Sequence, residues 1–243
     1  MIPAQSIMQQ RPAADATRSR IQRAIKVCSL FDGASRATRE AAANAADIDI
    51  VNGGAVIAEQ GTAALALLIL GRGRARLERH TADGRSIPLG YRGSGEILGE
   101  SCLTRQATHA ETATAMEETE LVRIPHTAIN DFMHDDPGLA PAIFSLLLQR
   151  TRETEDRIES LLFRNVEGRV VEFLLKAADR WGVPSPKGTL ISAPITHMEI
   201  AQAIGSTRET VTLTLGSLRK EGLLDVSGRR LIVKSREGLA QKP

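Results

Sequence analysis

ITHMEIAQAIGSTRETVTLTLGSL, residues 195–218, reads as two short helices joined by a tight turn. Met198, Ile200, Ala201 and Ile204 give the first helix an apolar stripe at helical spacing. Gly205 ends it, because glycine takes the left-handed conformation that many helix stops need. Ser206 or Thr207 then opens the second helix by capping its free amides. Val211, Leu215 and Leu218 recur at i, i+4 and i+7 and form that helix's buried face. Thr207, Arg208, Thr210, Thr212 and Thr214 lie on or beside the other face. A helix that buries one side and offers Arg, Glu and Thr at its N-terminal end suits a DNA major groove. Arginine pairs bidentately with guanine and glutamate accepts from cytosine, which makes Arg208 and Glu209 the expected base readers. Ser206, Thr207 and Thr212 complete the candidate surface, and His197 in the first helix is a candidate phosphate contact.

Downstream, LLDVSGRRLIV reads as a two-stranded ribbon over 224–226 and 231–233, with Ser227-Gly228 as its turn. A helix-turn-helix followed by a hairpin is a winged helix, and Arg229 and Arg230 on the wing would position the protein on phosphates. These residues, ITHMEIAQAIGSTRETVTLTLGSLRKEGLL, resemble the DNA-binding segment of the cyclic-AMP receptor protein/fumarate-nitrate reduction regulator (CRP/FNR) superfamily of bacterial transcription regulators. The resemblance covers most of the chain after about residue 30. Family members often carry a second arginine where this chain has Leu213. A leucine cannot donate to guanine, so the half-site is expected to depart from the family's type at one base, or to be read there by Thr212 or through a thymine methyl.

Charge is distributed as this reading requires. The net charge of +2 is the balance of +4 over residues 1–40, −7 over 41–163 and +5 over 164–243. The basic excess lies with the helix-turn-helix, where phosphate attracts it. At 243 residues the chain suggests two modest domains, and no apolar run is long enough to span a membrane. The N-terminus lacks a basic-then-apolar signal pattern, so a cytoplasmic protein is expected. Two distant cysteines, Cys28 and Cys102, imply a reduced compartment.

Residues 1–30 are expected to form a flexible arm, with a short helix over 21–30 and a second helix over 35–46. From 47 to 124 strand-like pieces alternate with glycine turns: 48–51, 55–58, 65–70, 74–79 and 87–91, with Asp83-Gly84 a strong hairpin signal. Short strands with regular turns indicate an antiparallel barrel or jelly roll. The pattern resembles the family's cyclic-nucleotide-binding β-roll, with Gly61, Gly73 and Gly84 at the family's turn glycines.

GESCLTRQATHAETATAM, residues 99–116, corresponds to the family's phosphate-binding cassette. There a Gly-Glu pair holds the ribose, and about ten residues later an arginine binds the cyclic phosphate. Gly99, Glu100 and Ser101 match the first half. His109 or Ala110 stands where the arginine belongs, and Arg105 comes several residues early. A buried phosphate needs a counter-charge, so the expected effector is not classical cyclic AMP; the alternative is a cyclic nucleotide held through Arg105 or His109. Residues 129–163 read as helical, opened at Asp135-Asp136-Pro137, with a heptad seam at Ile143, Leu147, Arg150, Thr154, Arg157 and Leu161. The resemblance makes this the dimerisation helix and puts Thr154 and Glu155 where the family's helix reaches the effector. Residues 163–169 correspond to the family's hinge, 170–181 to an amphipathic helix, and 182–188 to a loop that contacts RNA polymerase.

Other sensors fit less well. An iron–sulfur cluster needs about four cysteine ligands and two are present. Haem would draw on Cys102, His109 or His80, and Cys102 could serve as a redox switch if its thiolate were favoured; neither is expected over a buried small side chain and surface histidines. The five histidines show no metal-ligand spacing, and no catalytic constellation is present, so an enzyme is not expected. The expected fold is α+β: an antiparallel β-roll over 31–134, a long dimerisation helix and hinge over 135–165, and a winged helix-turn-helix over 166–243. The expected function is a homodimeric, DNA-binding transcription regulator reading a near-palindromic site and contacting RNA polymerase. A cyclic-AMP-dependent activator with a non-standard cassette is one alternative, and a ligand-binding module with a degenerate reader is another.

Overall fold

The computed structural model describes residues 14–104, 107–193 and 195–242. The chain forms two compact units that divide between Gln149 and Arg150.

In the first unit, β3 (Ala66–Arg72) organises the rest. Its first five residues are all buried, because it has a core on each face. Leu67 and Ile69 face one core; Leu68 and Leu70 face the other. That explains a continuous apolar run where a half-exposed strand would alternate. β3 pairs with β8 (Thr119–Pro125) and β6 (Ile97–Leu98), and β1 (Asp47–Val51) completes a sheet of order β1-β8-β3-β6. The second sheet, order β2-β7-β4-β5, comprises Val56–Ala58, Ala75–His80, Ser86–Arg92 and Thr112–Ala115 in chain order β2, β4, β5, β7. All pairings in both sheets are antiparallel. The expected roll is therefore present, with Leu70, Leu77, Leu98 and Leu121 filling the core that the two sheets share.

The outer face of the first sheet is covered by α1 (Ala14–Val27), α2 (Arg36–Ala45) and α3 (His126–Asp135). Here the expected flexible arm needs correction. Residues 14–27 are helical, and Ile21, Ala24, Ile25, Cys28 and Phe31 belong to the core. Residues 1–13 lie outside the described residues.

The long helix α4 (Leu139–Phe163) begins two residues after Pro137, not at the Asp135-Asp136-Pro137 start. Asp136 instead accepts hydrogen bonds from the Ser35 amide at 2.8 Å, the Thr38 hydroxyl at 2.6 Å and the Gly138 amide at 3.0 Å. It thus joins the start of α2 to the α3–α4 turn. Only part of the expected heptad seam is open: Leu147 and Leu161 are exposed, at 48% and 43%. Ile143 packs into the first core, and Arg150 and Arg157 are half-buried. A neighbouring row of the same helix is more exposed: Phe144 (66%), Leu148 (58%), Ile158 (53%) and Leu162 (70%). With Thr151 and Glu155 they alternate at spacings of four and three along one face.

The second unit holds α5 (Val166–Trp181), α6 (His197–Ile204), α7 (Arg208–Lys220) and α8 (Arg236–Ala240) around one apolar core. Asn165 caps α5, accepting from the Gly168 amide at 2.8 Å, so the helix starts four residues before the expected 170. The segment 182–188, expected as a loop, is a hairpin of β9 (Gly182–Ser185) and β10 (Gly188–Ile191). β11 (Leu224–Ser227) and β12 (Arg230–Val233) extend it into a sheet of order β11-β12-β10-β9. The C-terminal end of α4 is fixed to this unit by Arg157, whose guanidinium donates to the Ala203 carbonyl at 3.1 Å, and by a Ser160–Glu172 hydrogen bond.

Candidate DNA-reading surface and effector cavity

The two-helix reader is built from short-range signals that reinforce one another. Thr196 caps α6 in a capping box: the Glu199 amide donates to its hydroxyl at 3.2 Å, and its own amide donates to the Glu199 carboxylate at 2.7 Å. Gly205 ends α6 at φ +64°, in the left-handed region, while the Ser206 amide closes onto the Ala201 carbonyl at 2.9 Å. Thr207, and not Ser206, caps α7: the Thr210 amide donates to its hydroxyl at 3.2 Å. Ile200, Ala201, Ile204, Val211, Leu215 and Leu218 are buried as expected, but Met198 is about half exposed.

This leaves Arg208 and Glu209 exposed on the first turn of α7. Arg229 and Arg230 are exposed at the wing, where Gly228 turns with φ +61°. Thr212, expected as a polar reader, has its hydroxyl engaged within the protein. It donates to the Arg208 carbonyl at 2.8 Å and lies 2.9 Å from His197 Nδ1. A hydroxyl has one proton, so with that proton on Arg208 the histidine must donate to Thr212. His197 therefore ties α6 to α7 in addition to standing near the reading face.

The cassette sits in the first unit. Gly99 adopts φ +74°, and a Cβ there would stand 2.8 Å from the Ala66 carbonyl. A short 3-10 turn, Glu100–Leu103, follows it. His109 returns to this place because its strand is pinned: its amide donates to the Thr62 carbonyl at 2.9 Å, and its carbonyl accepts from the Gly61 amide at 2.8 Å. The imidazole lies against Gly99, its Cε1 3.3 Å from where a Cβ would be. Gly99, Glu100, Ser101, His109 and Glu111 thus meet around one cavity floored by Leu77. Its volume is about 10 Å³, room for about one water. Burial pushes the His109 pKa below the usual imidazole value, with Glu111 pulling the other way, so the ring is uncharged at neutral pH. The described walls of this cavity present two carboxylates and a neutral imidazole, a poor setting for a phosphate dianion or monoanion.

Arg105 lies outside the described residues. Thr154 and Glu155 are exposed on α4, and the Thr154 hydroxyl donates to the Arg150 carbonyl at 2.9 Å. Cys102 belongs to the outer core with Cys28, not to the cavity beside His109. Burial pushes both thiols up to about 11, which disfavours the thiolate a redox switch or metal would use. Glu111 was not singled out in the sequence, although it stands one or two residues beyond the position of the missing arginine. The Thr196–Glu199 capping box was also legible as T-x-x-E ahead of an apolar run.

The profile of the Crp-like helix-turn-helix domain matches residues 168–242, and that of the cyclic nucleotide-binding domain matches residues 50–136. The global nitrogen regulator of Synechococcus elongatus is 33% identical over 176 residues, covering 72% of this chain and 79% of that protein. The chain belongs to the CRP/FNR superfamily of bacterial transcription regulators. A second CRP/FNR relative, the CRP-like cAMP-activated global transcriptional regulator of Mycobacterium tuberculosis, is 28% identical and covers 80% of this chain and 87% of its own. Among solved structures, the c-di-GMP responsive global regulator CLP of Xanthomonas campestris shares the fold, with a TM-score of 0.71 at 23% identity, covering 83% of this chain and all of that one. Membership explains why a nucleotide-type roll and a winged reader occur in one chain. It also identifies a CRP/FNR-type transcription regulator. No helix among the described residues is long and apolar enough to cross a membrane, and no described group of three or more His, Cys, Asp or Glu side chains could hold a metal ion.

Proposed function

We propose that the protein is a cytoplasmic, homodimeric regulator that reads a near-palindromic DNA site and is gated by something other than a cyclic nucleotide in its β-roll. The dimer forms along the exposed apolar face of α4, through Phe144, Leu148, Ile158 and Leu162. Two copies of α7 then enter successive major grooves about 34 Å apart, with Arg208 and Glu209 on base edges and Arg229 and Arg230 on phosphates. The β9–β10 hairpin is the surface offered to RNA polymerase. The observation that carries the gating reading is the cavity. Among the described residues it holds about 10 Å³ between Glu100, Glu111 and His109, where a cyclic phosphate would need both space and positive charge. The relatives support separating the fold from one effector, since one is named for activation by cAMP and another for response to c-di-GMP.

The test is calorimetric titration of the purified protein with cyclic AMP, cyclic GMP and cyclic di-GMP, paired with its affinity for a selected duplex with and without each. DNA binding unaffected by all three is expected. Micromolar binding of one of them that raises DNA affinity would overturn the gating reading. Absence of sequence-selective DNA binding under every condition would overturn the reader itself.

A further inference from the structure

On α7 the polar-looking threonines present less polarity than their names suggest. The Thr212 hydroxyl donates to the Arg208 carbonyl and accepts from His197, and the Thr214 hydroxyl donates to the Thr210 carbonyl at 2.9 Å. The hydroxyls of Thr207 and Thr210 bond each other at 3.0 Å, and Thr207 also caps the helix. Such back-bonding to the preceding turn fixes χ1 of a β-branched residue. Thr212 is exposed with its hydroxyl doubly engaged, so the methyl is the group it can offer to a base edge.

Beside it stands Leu213, 75% exposed, the most exposed large apolar side chain on α7. Thr212 lies one helical turn beyond Arg208, and Leu213 one turn beyond Glu209, because residues four apart are neighbours on a helix surface. The buried face of α7, Val211, Leu215 and Leu218, makes no use of Leu213. The reading surface is therefore charged on its first turn and apolar on its second. In the major groove the base-edge group that matches an apolar surface is the C5-methyl of thymine.

We propose that Leu213, with the Thr212 methyl, is a specificity-determining contact for a pyrimidine C5-methyl group in each half-site. The ligand chemistry is a thymine methyl, or equally the methyl of 5-methylcytosine, one to two base pairs beyond the pair read by Arg208. His197 is a positioning residue for this contact, since its donation to Thr212 helps hold the hydroxyl inward. The inference rests on the proposed reading of DNA by α7 and adds what the second turn recognises.

The experiment starts from duplexes that the full-length protein selects from a random library. Each thymine of the selected half-site is replaced in turn by deoxyuridine, which removes one methyl and leaves every hydrogen-bonding group in place. A loss of about fourfold per half-site is expected at one position, the worth of one buried methyl group, with little change at the others. In Leu213→Ala that sensitivity should vanish, and in Thr212→Ser it should weaken. In Leu213→Arg the preferred base pair at that position should move to G·C. Leu213 is exposed, so these variants are expected to fold, and retained thermal melting checks this. Selection of a site that tolerates uracil everywhere would overturn the inference and leave the DNA-reading function standing. A uracil effect that persists undiminished in Leu213→Ala would equally overturn it. Selection of no site would overturn the proposed function and this inference with it.

Discussion

Arg208 and Arg230 are both exposed arginines of the second unit, yet their removal should be felt differently. Arg208 stands on the first turn of the reading helix, so Arg208→Ala should cost about 1–3 kcal/mol of DNA affinity and relax one base-pair position per half-site. A competition assay over single-base variants of the site checks this; uniform weakening at every position would contradict a base-reading role. Arg230 opens the second strand of the wing, and Arg230→Ala should weaken all sequences alike. It should also lower the slope of log affinity against log salt by about one per half-site, measured by titration across salt concentrations. Much at this scale was legible, because caps, glycine stops and base-pairing chemistry act within a few residues. Thr212 was not. Its sequence neighbours allow a free hydroxyl, and only the fold reveals that His197, fifteen residues upstream, faces it.

At the scale of elements, α4 carries the sharpest expectation. Glutamate at Ile158 and Leu162 should leave the monomer folded, since both side chains are exposed, but should split the proposed dimer. Sedimentation of the variant at micromolar concentration reads this directly, and a dimer that survives would point to another interface. The junction between α2 and α3 makes a second expectation. Three hydrogen bonds, the largest effect coming from the Thr38 hydroxyl, hold the Asp136 carboxyl down at about 2 against an ordinary 3.8. A depressed carboxyl stabilises the folded state above the unfolded pKa and loses that effect as pH falls through the folded one. The gap in urea midpoint between the native protein and Asp136→Asn should therefore be constant above about pH 5 and shrink as pH falls from 4 towards 2. Heptad arithmetic located α4, but of two adjacent rows on it the one from Phe144 to Leu162 is the more exposed. Ile143 and Phe144 are equivalent in pattern, and the core formed with α1, α2 and α3 decides between them. The same long-range packing explains α1, whose stripe of Ile21, Ala24, Ile25 and Cys28 is too small-featured to announce a core helix. Pro184 and Pro186 masked β9 and β10, since proline suggests a loop and is tolerated at a sheet edge.

For the whole molecule, the two units differ in what their sequence reveals. The second unit is readable because each element carries its own start, stop and stripe. The first depends on two sheets wrapping a shared strand, and its cavity is shaped by residues far apart in the chain, Gly99 and His109 meeting across Gly61 and Thr62. The doubly buried β3 has a consequence for how this unit opens. Its amides are enclosed by neighbouring strands on both edges and by a core on both faces, so they should exchange with deuterium only through global unfolding of the unit, far more slowly than those of the β4–β5 hairpin tip. Once released, the same segment, Ala66 to Leu70, is an uncharged apolar ribbon with no proline to interrupt it. Heating past the first unit's transition should thus end in irreversible association rather than in a soluble unfolded chain.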